Sequence, residues 1–454
     1  MKLKTLLHGK TYEFRNLADV LAKANEPKSA DRLQNIAARS ASERVAAKIA
    51  LAAMTVGDLT ENPVLPYEDD EVTRANIDSL NQPLYKAMKN KTIGELREWI
   101  LDHKTTGREI ERFARAFTGE VAAAAAKIMS TMDLVYAARK ISRVTRCNTE
   151  IGQPGTLSFR CQANSATDDV DDIVTGVMEG VSYGCGDACI GINPVNDSVE
   201  STRRIAEGIF GFISKHEIPT QITVLSHITT QMKALEEGAP LSMVFQSIAG
   251  TEAANSNFGV DKKLIEAAYA LARRKAFAAG PNLLYFETGQ GSEVSIGADR
   301  GADELTLEGR TYGFARCFEP FLVNNVSGFI GPETLYDGKE MIRANLEDHF
   351  MGKLLGLPMG LDPCYTNHTQ ITQDDQEMAT MLTALAGANY YMGVPMGDDV
   401  MLNYQNTSFH DNAALRELTG RKPAREFHLW MMKRGLMDEN GVLTEAAGDG
   451  SIFL

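Results

Sequence analysis

Apolar and polar residues follow two different patterns along this chain, and the change between them falls near Cys147. Before that point, apolar residues recur every three to four positions, as in residues 17–21, 30–53 and 93–101, which is the spacing of amphipathic helices. Strand-like runs do not stand out there. The pattern predicts a helical N-terminal region over residues 1–108.

After Cys147, short apolar runs alternate with longer amphipathic stretches typical of helices, such as residues 199–215 and 262–279. Eight short runs have the composition of buried strands: residues 156–162, 188–193, 221–225, 243–247, 283–287, 321–326, 357–362 and 400–404. Eight strands that alternate with helices fit a closed parallel barrel better than an open sheet. We therefore expect an α/β fold, a (β/α)8 TIM barrel over residues 109–410, followed by a short helical extension over residues 411–454.

Residues 109–141 are predicted to form a long helical stretch that ends in several basic residues, among them Arg139 and Lys140. Positive charge near the C-terminus of a helix is favoured by the helix dipole. We prefer this explanation to a binding patch.

Several predicted strands end in polar residues. In the first strand, Arg160 and Gln162 share the face opposite to Phe159, because successive side chains of a strand point to opposite sides. Four other strands end in a polar residue after an apolar run: Asn193, Gln246, Glu287 and Asp362. Active sites of this fold lie at the carboxyl ends of the strands, so this face is the expected site.

The polar strand ends suggest what the site would bind. The carboxylates of Glu287 and Asp362 suit a small cation such as an ammonium group, and Arg160 and Gln162 suit an oxygen of the same molecule. One alternative is a buried ion-pair network that only holds the barrel closed. Another is a hydrolase or isomerase that uses the two carboxylates as acid and base.

Composition restricts the partners. The net charge of −14 disfavours binding to a nucleic-acid backbone or an anionic membrane surface. No apolar run reaches membrane-spanning length, and the apolar stretch at the N-terminus is too short for a signal peptide, so we expect a cytoplasmic protein.

Side-chain metal sites are not expected. Cys185 and Cys189 lack two further soft ligands nearby, so buried thiols are favoured over a zinc site. His-x-His is absent from the first strand, and none of the predicted strands ends in Lys. These absences disfavour a metal-dependent amidohydrolase and a Schiff-base aldolase.

Five segments at or near predicted strand ends carry a family resemblance: GTLSFRCQAN (155–164), GINPVND (191–197), NLLYFETGQGS (282–292), GLDPCYTNH (360–368) and MGDDVMLNYQ (396–405). With these segments, and over nearly its full length, the chain resembles the large subunit of ethanolamine ammonia-lyase, an adenosylcobalamin enzyme. The resemblance implies conversion of ethanolamine to acetaldehyde and ammonia, started by an adenosyl radical that removes a hydrogen from the substrate's carbinol carbon.

The resemblance also implies roles for individual residues. Glu287, Arg160 and Asp362 would be catalytic, with Glu287 and Asp362 on the substrate ammonium. Arg160, Gln162 and Asn193 would hold the hydroxyl group. The residues matching the family's cobalamin contacts are Pro194, Gln246, Ser295 and Met401.

The cofactor would be bound base-on, because the Asp-x-His-x-x-Gly signature of histidine-ligated cobalamin is absent; Asp348 and His349 have the wrong spacing. The family further implies a small subunit, self-association of the large subunit and sometimes enclosure in a bacterial microcompartment. A non-catalytic scaffold that binds cobalamin without turnover is the third alternative.

Overall fold

The computed structural model describes residues 1–327 and 334–454. Its centre is a sheet of eight parallel strands. The strands are Ser158–Cys161 (β1), Cys189–Ile192 (β2), Ile222–Val224 (β3), Val244–Ser247 (β4), Leu284–Thr288 (β5), Leu322–Ser327 (β6), Met359–Pro363 (β7) and Tyr390–Gly393 (β8).

The sheet curves into a nearly closed barrel. Its order is β3-β2-β1-β8-β7-β6-β5-β4, so the first and last strands pair directly. The ends of this order, β3 and β4, meet through Ser242, whose backbone N donates to Ile222 O at 2.8 Å. The predicted α/β fold of TIM-barrel type is confirmed.

Seven of the eight predicted strands are confirmed with small shifts at their ends, but the eighth prediction is wrong. Residues 400–403 lie beyond the barrel, between the short antiparallel strands Asp398–Asp399 and Tyr404–Gln405, and Val400 is exposed. The true eighth strand, β8, begins with two buried tyrosines. Because its tyrosines carry hydroxyl groups, this run is less clearly apolar than the neighbouring Val400–Leu402 run.

Eight helices accompany the strands: Val170–Ser182, Val199–Lys215, Ile228–Glu236, Lys262–Lys275, Glu304–Ala315, Gly338–Leu354, Gln373–Leu385 and Phe409–Thr419. Short helices at Glu252–Asn257 and Ser292–Ser295 lie in the connections, and Arg425–Lys433 with the 3₁₀ turn Gly450–Phe453 ends the chain. None of the helices in the described part of the chain is long and apolar enough to cross a membrane.

The N-terminal region is largely helical, as predicted. Its helices are Leu17–Ala24, Ser29–Leu33, Ala41–Ala52, Val56–Thr60, Glu71–Asp78, Gln82–Met88 and Ile93–Leu101. The expectation that it holds no strand is wrong, because Lys4–Leu7 pairs with Lys10–Glu13 in a hairpin. His8 and Gly9 take positive φ angles of 47° and 76°, as a tight two-residue hairpin turn requires.

The stretch predicted as helical over residues 109–141 is divided into three helices, Gly107–Arg112, Gly119–Lys127 and Thr131–Lys140. Ser130 starts the third helix through a capping box with Asp133, which ends continuity with the second. The middle helix is buried along its whole length.

Buried ion pairs attach these N-terminal elements to the barrel helices. Arg310 donates to Asp70 and Glu120 at 2.6 Å each, and Lys28 donates to Glu347 at 2.6 Å. Because every residue of Glu304–Ala315 is buried, this helix is enclosed between the barrel and the N-terminal region. These ion pairs explain how the barrel is covered, and they involve none of the predicted site residues.

Candidate active site

Arg160 on β1 is fully buried, and all five of its N–H groups have acceptors. Nη1 donates to Tyr285 Oη at 2.7 Å and to Glu287 Oε1 at 2.9 Å. Nη2 donates to Asn193 Oδ1 at 2.8 Å and, like Nε, to the carbonyl oxygen of Gly191. The guanidinium is therefore held in one orientation, and it links β1, β2 and β5.

Gly191 makes this orientation possible. A Cβ atom at residue 191 would lie 2.5 Å from Arg160 Nε. The space that the missing side chain leaves is occupied by the arginine.

Glu287, at the end of β5, accepts several hydrogen bonds on one carboxylate oxygen. Its Oε1 accepts from Arg160, from Tyr285 Oη at 2.6 Å and from Asn324 Nδ2 at 3.4 Å. No residue that the structure describes donates to Oε2, and the side chain is 15% exposed. One carboxylate oxygen is fixed by the protein and the other is available to a ligand.

Asp362 on β7 is buried beside this carboxylate and accepts a hydrogen bond from Asn406 Nδ2. Burial, reinforced by the negative charge of Glu287, raises the pKa of Asp362 to about 7. A cation placed near both carboxylates would relieve this repulsion.

Gln162 is held from the other side. Its Nε2 donates to Asp399 Oδ2 at 2.7 Å and to Tyr404 Oη at 2.8 Å, while no described residue donates to its Oε1. Asn193 is oriented by Arg160, and within the described ranges no acceptor is bound to its Nδ2. Each amide thus keeps one polar atom for a ligand.

Sequence reasoning missed five supporting residues: Tyr285, Asn324, Asp399, Tyr404 and Asn406. Tyr285 lies two residues before Glu287 and therefore on the same face of β5, so strand alternation could have revealed it. Asn324 is the register partner of Glu287 on β6. Tyr404 ends the segment wrongly predicted as the eighth strand and Asp399 directly precedes that segment, and only the true position of β8 explains how they reach Gln162.

The residues predicted to contact a cofactor all follow or end barrel strands, but they lie outside the Arg160 network. Gln246 points towards the helix Ile228–Glu236, where its Oε1 accepts from Ile228 N at 3.1 Å. Ser295 is exposed, with Oγ bonded to Gly291 O at 3.0 Å, and Pro194 and Met401 are half-buried.

Apolar side chains surround the same face of the barrel. Val195, Ile296, Met396 and Val400, which follow β2, β5 and β8, expose 54%, 38%, 75% and 73% of their surface. A polar floor inside the barrel is thus bordered by an apolar rim.

No group of three or more His, Cys, Asp or Glu side chains in residues 1–327 and 334–454 is arranged to hold a metal ion. Cys185 and Cys189 are buried, and burial raises the pKa of both thiols to about 12. The interpretation of these cysteines as buried thiols is confirmed.

A nearly closed (β/α)8 barrel with hydrogen-bonded charged groups at the carboxyl ends of its strands is the architecture of barrel enzymes, whose active sites lie at that face. The family model described as "Ethanolamine ammonia lyase large subunit (EutB)" matches residues 12–446, and the chain belongs to this family.

Full-length relatives agree with the family model. The ethanolamine ammonia-lyase large subunits of Escherichia coli strain K12 and Salmonella typhimurium strain LT2 are 51% and 50% identical over 453 residues, covering 100% of this chain and of each relative. The family resemblance and the predicted enzyme class, a lyase, are confirmed.

Proposed function

We propose that this chain is the catalytic large subunit of an adenosylcobalamin-dependent lyase that converts ethanolamine to acetaldehyde and ammonia. Family membership supports the reaction. The observation that carries the proposal is the pair Glu287 and Asp362 beside the fully bonded Arg160, because it offers a small cationic substrate two carboxylates and several neutral polar atoms.

The substrate ammonium would bind between the two carboxylates. Glu287 Oε2 is free to accept a hydrogen bond from the ammonium group. The positive charge of the ammonium would lower the pKa of Asp362 from about 7. Asp362 would therefore lose its proton as the substrate binds.

The substrate hydroxyl would bind on the opposite side of the site. Gln162 Oε1 can accept its hydrogen, and Asn193 Nδ2 can donate to its oxygen. Because the N–H groups of Arg160 are all used within the protein, Arg160 would act by its charge and by fixing Asn193 and Glu287. These groups would hold both ends of the substrate while its amino group moves between carbons.

Adenosylcobalamin would supply the adenosyl radical that removes hydrogen from the substrate. The exposed apolar rim fits a large flat ring, and the polar groups of Gln246 and Ser295 fit its side chains. Pro194 and Met401 complete the proposed contacts. His349 is fully buried inside the helix Gly338–Leu354, which supports a cofactor that keeps its own base bound.

The proposal includes partners. A small subunit would cover the open rim, and large subunits would associate through the N-terminal region, where Leu33 and Val45 expose 58% and 46% of their surface. This region, residues 1–108, would be one unit, with the barrel over 109–410 and the extension over 411–454. The enzyme would act in the cytoplasm, with enclosure in a microcompartment as an expectation from the family.

The test combines the chain with its small subunit, adenosylcobalamin and ethanolamine, and measures acetaldehyde together with the electron paramagnetic resonance signal. We expect product and a substrate-dependent radical signal, both lost when cofactor is omitted. Turnover without cofactor would support the acid–base hydrolase or isomerase instead. Cofactor binding without product would support a scaffold.

A further inference from the structure

A second cavity, of about 330 Å³, lies at the end of the barrel where the strands begin. Thr156 and Asn389, which line it, directly precede β1 and β8, so it is opposite to the candidate active site. Three basic residues also line it, Arg139, Lys353 and Arg421, and its described lining includes no Asp or Glu. The cavity therefore concentrates positive charge without an opposite charge beside it.

Arg421 is the member of this basic cluster whose side chain has no structural partner among the described residues. Its side chain is half-buried, and it makes no hydrogen bond or ion pair with residues 1–327 or 334–454. Nη1 is fully shielded and has no acceptor among the residues that the structure describes. A shielded charge without a partner is costly, so a guanidinium in this state is expected to have a ligand.

Arg416, five residues earlier, shows how this protein satisfies an arginine that serves only structure. Its Nη2 donates to Asp187 Oδ1 at 2.9 Å, and Nε and Nη1 donate to the carbonyl oxygens of Leu157 and Gly184. Arg421 lies only five residues further along the chain, and its side chain has no comparable acceptor among the described residues.

The other two cations bind only neutral oxygens. Lys353 Nζ donates to Gly387 O at 2.9 Å and to Ala386 O at 3.4 Å, and Arg139 Nη1 donates to Leu385 O at 3.5 Å. These carbonyls end the helix Gln373–Leu385, so they offset part of the charge. Burial, with the charge of Arg421 next in importance, nevertheless lowers the pKa of Lys353 to about 7.

We infer that this cavity binds a small oxyanion with more than one negative charge, a phosphate or a phosphate monoester. Three basic side chains around a cavity with no carboxylate in its described lining favour such an anion, whose charge would keep Lys353 protonated, and a guanidinium can donate two parallel hydrogen bonds to it. The volume lies at the lower end of the range for small-ligand sites, about 300–1,000 Å³, which leaves room for a short organic group on the phosphate.

The test measures binding of inorganic phosphate and of glycerol 2-phosphate to the full chain by isothermal titration calorimetry, with sodium chloride holding the ionic strength constant. We expect saturable binding of at least one of the two anions, with one anion per chain. Tighter binding of glycerol 2-phosphate would identify the ligand as a monoester, and tighter binding of phosphate would identify the free ion.

Two variants make the test specific. Arg421→Gln should weaken binding by about tenfold or more, because a charge-assisted pair of hydrogen bonds is lost. Arg425→Gln, an exposed arginine four residues later, should bind as the wild type does. Absence of saturable binding for both anions, or equal binding by wild type and both variants, would overturn the inference.

Discussion

The two ends of the barrel differ in how many hydrogen-bond partners they give to an arginine side chain. At the mouth, Arg160 has an acceptor for each of its five N–H groups, and neighbouring polar atoms of Gln162, Asn193 and Glu287 have no partner among the described residues. At the opposite end, Arg421 itself is left without a partner in the described chain. A fully bonded group orients its neighbours, whereas an unsatisfied group indicates where a ligand binds.

Charge balance also differs between the two ends. The mouth has three carboxylates, those of Glu287, Asp362 and Asp399, for one guanidinium, so the predicted ligand is a cation. The opposite cavity has three basic residues and no carboxylate among its described lining, so the predicted ligand is an anion. The following experiments distinguish side chains that orient their neighbours from side chains that bind a ligand directly.

Glu287→Gln should have the largest effect, because it removes the charge that binds the ammonium and leaves Arg160 without its ion-pair partner. Truncating one member of a buried charge pair costs about 2–5 kcal/mol, so kcat/KM should fall by about 30-fold to several thousand-fold. The measurement is steady-state acetaldehyde formation, with circular dichroism to check folding. Glu417→Gln, on an exposed glutamate, is the control and should behave as wild type. Unchanged kinetics in Glu287→Gln would exclude this residue from the site.

Gly191→Ala tests whether orientation of Arg160 matters apart from its charge. The new Cβ would lie 2.5 Å from Arg160 Nε and displace the side chain from Asn193 and Glu287. Misplacing a positioned group costs up to about 100-fold in rate, and we expect a loss of about 10- to 100-fold in kcat/KM. Gly211→Ala is the matched control, because nothing lies within 4 Å of a Cβ atom there. If both variants have wild-type activity, the rigid arrangement of Arg160 is not needed.

The sequence revealed the parts of this site that depend on strand alternation. Arg160, Asn193, Glu287 and Asp362 end apolar runs, and a parallel barrel places such residues together. The support that fixes them is not visible in the sequence, because Asp399 Oδ2 accepts hydrogen bonds from Gln162 and Asn164, which lie more than 230 positions away. The sequence pattern predicts Arg139 to be a positive charge near the C-terminus of its own helix, and the structure places it in the last turn of Thr131–Lys140. Arg421 belongs to no periodic pattern in the sequence, and only the structure shows that its side chain has no partner among the described residues.

Asp362 predicts the pH dependence of substrate binding. Its raised pKa of about 7 means that the carboxyl is increasingly protonated below that pH and ionised above it. An aliphatic amine stays protonated throughout this range, so the KM for ethanolamine should rise by up to about tenfold for each pH unit below 7 and level off above 8. Initial rates between pH 5.5 and 8.5 measure this, and Asp362→Asn should remove the dependence. A KM that stays constant in the wild type would contradict the assigned role.

Arg421→Gln should have the smallest effect on the isolated protein. Since the guanidinium has no partner within the described chain, its replacement breaks no hydrogen bond, and the free energy of unfolding should fall by no more than about 0.5 kcal/mol in phosphate-free buffer. Arg416→Gln should instead destabilise by about 3–5 kcal/mol, because Asp187 would lose its ion-pair partner. Urea unfolding of both variants followed by circular dichroism gives the comparison. A large loss in Arg421→Gln would mean that the arginine stabilises the fold directly, and the contrast between the two ends of the barrel would then no longer hold.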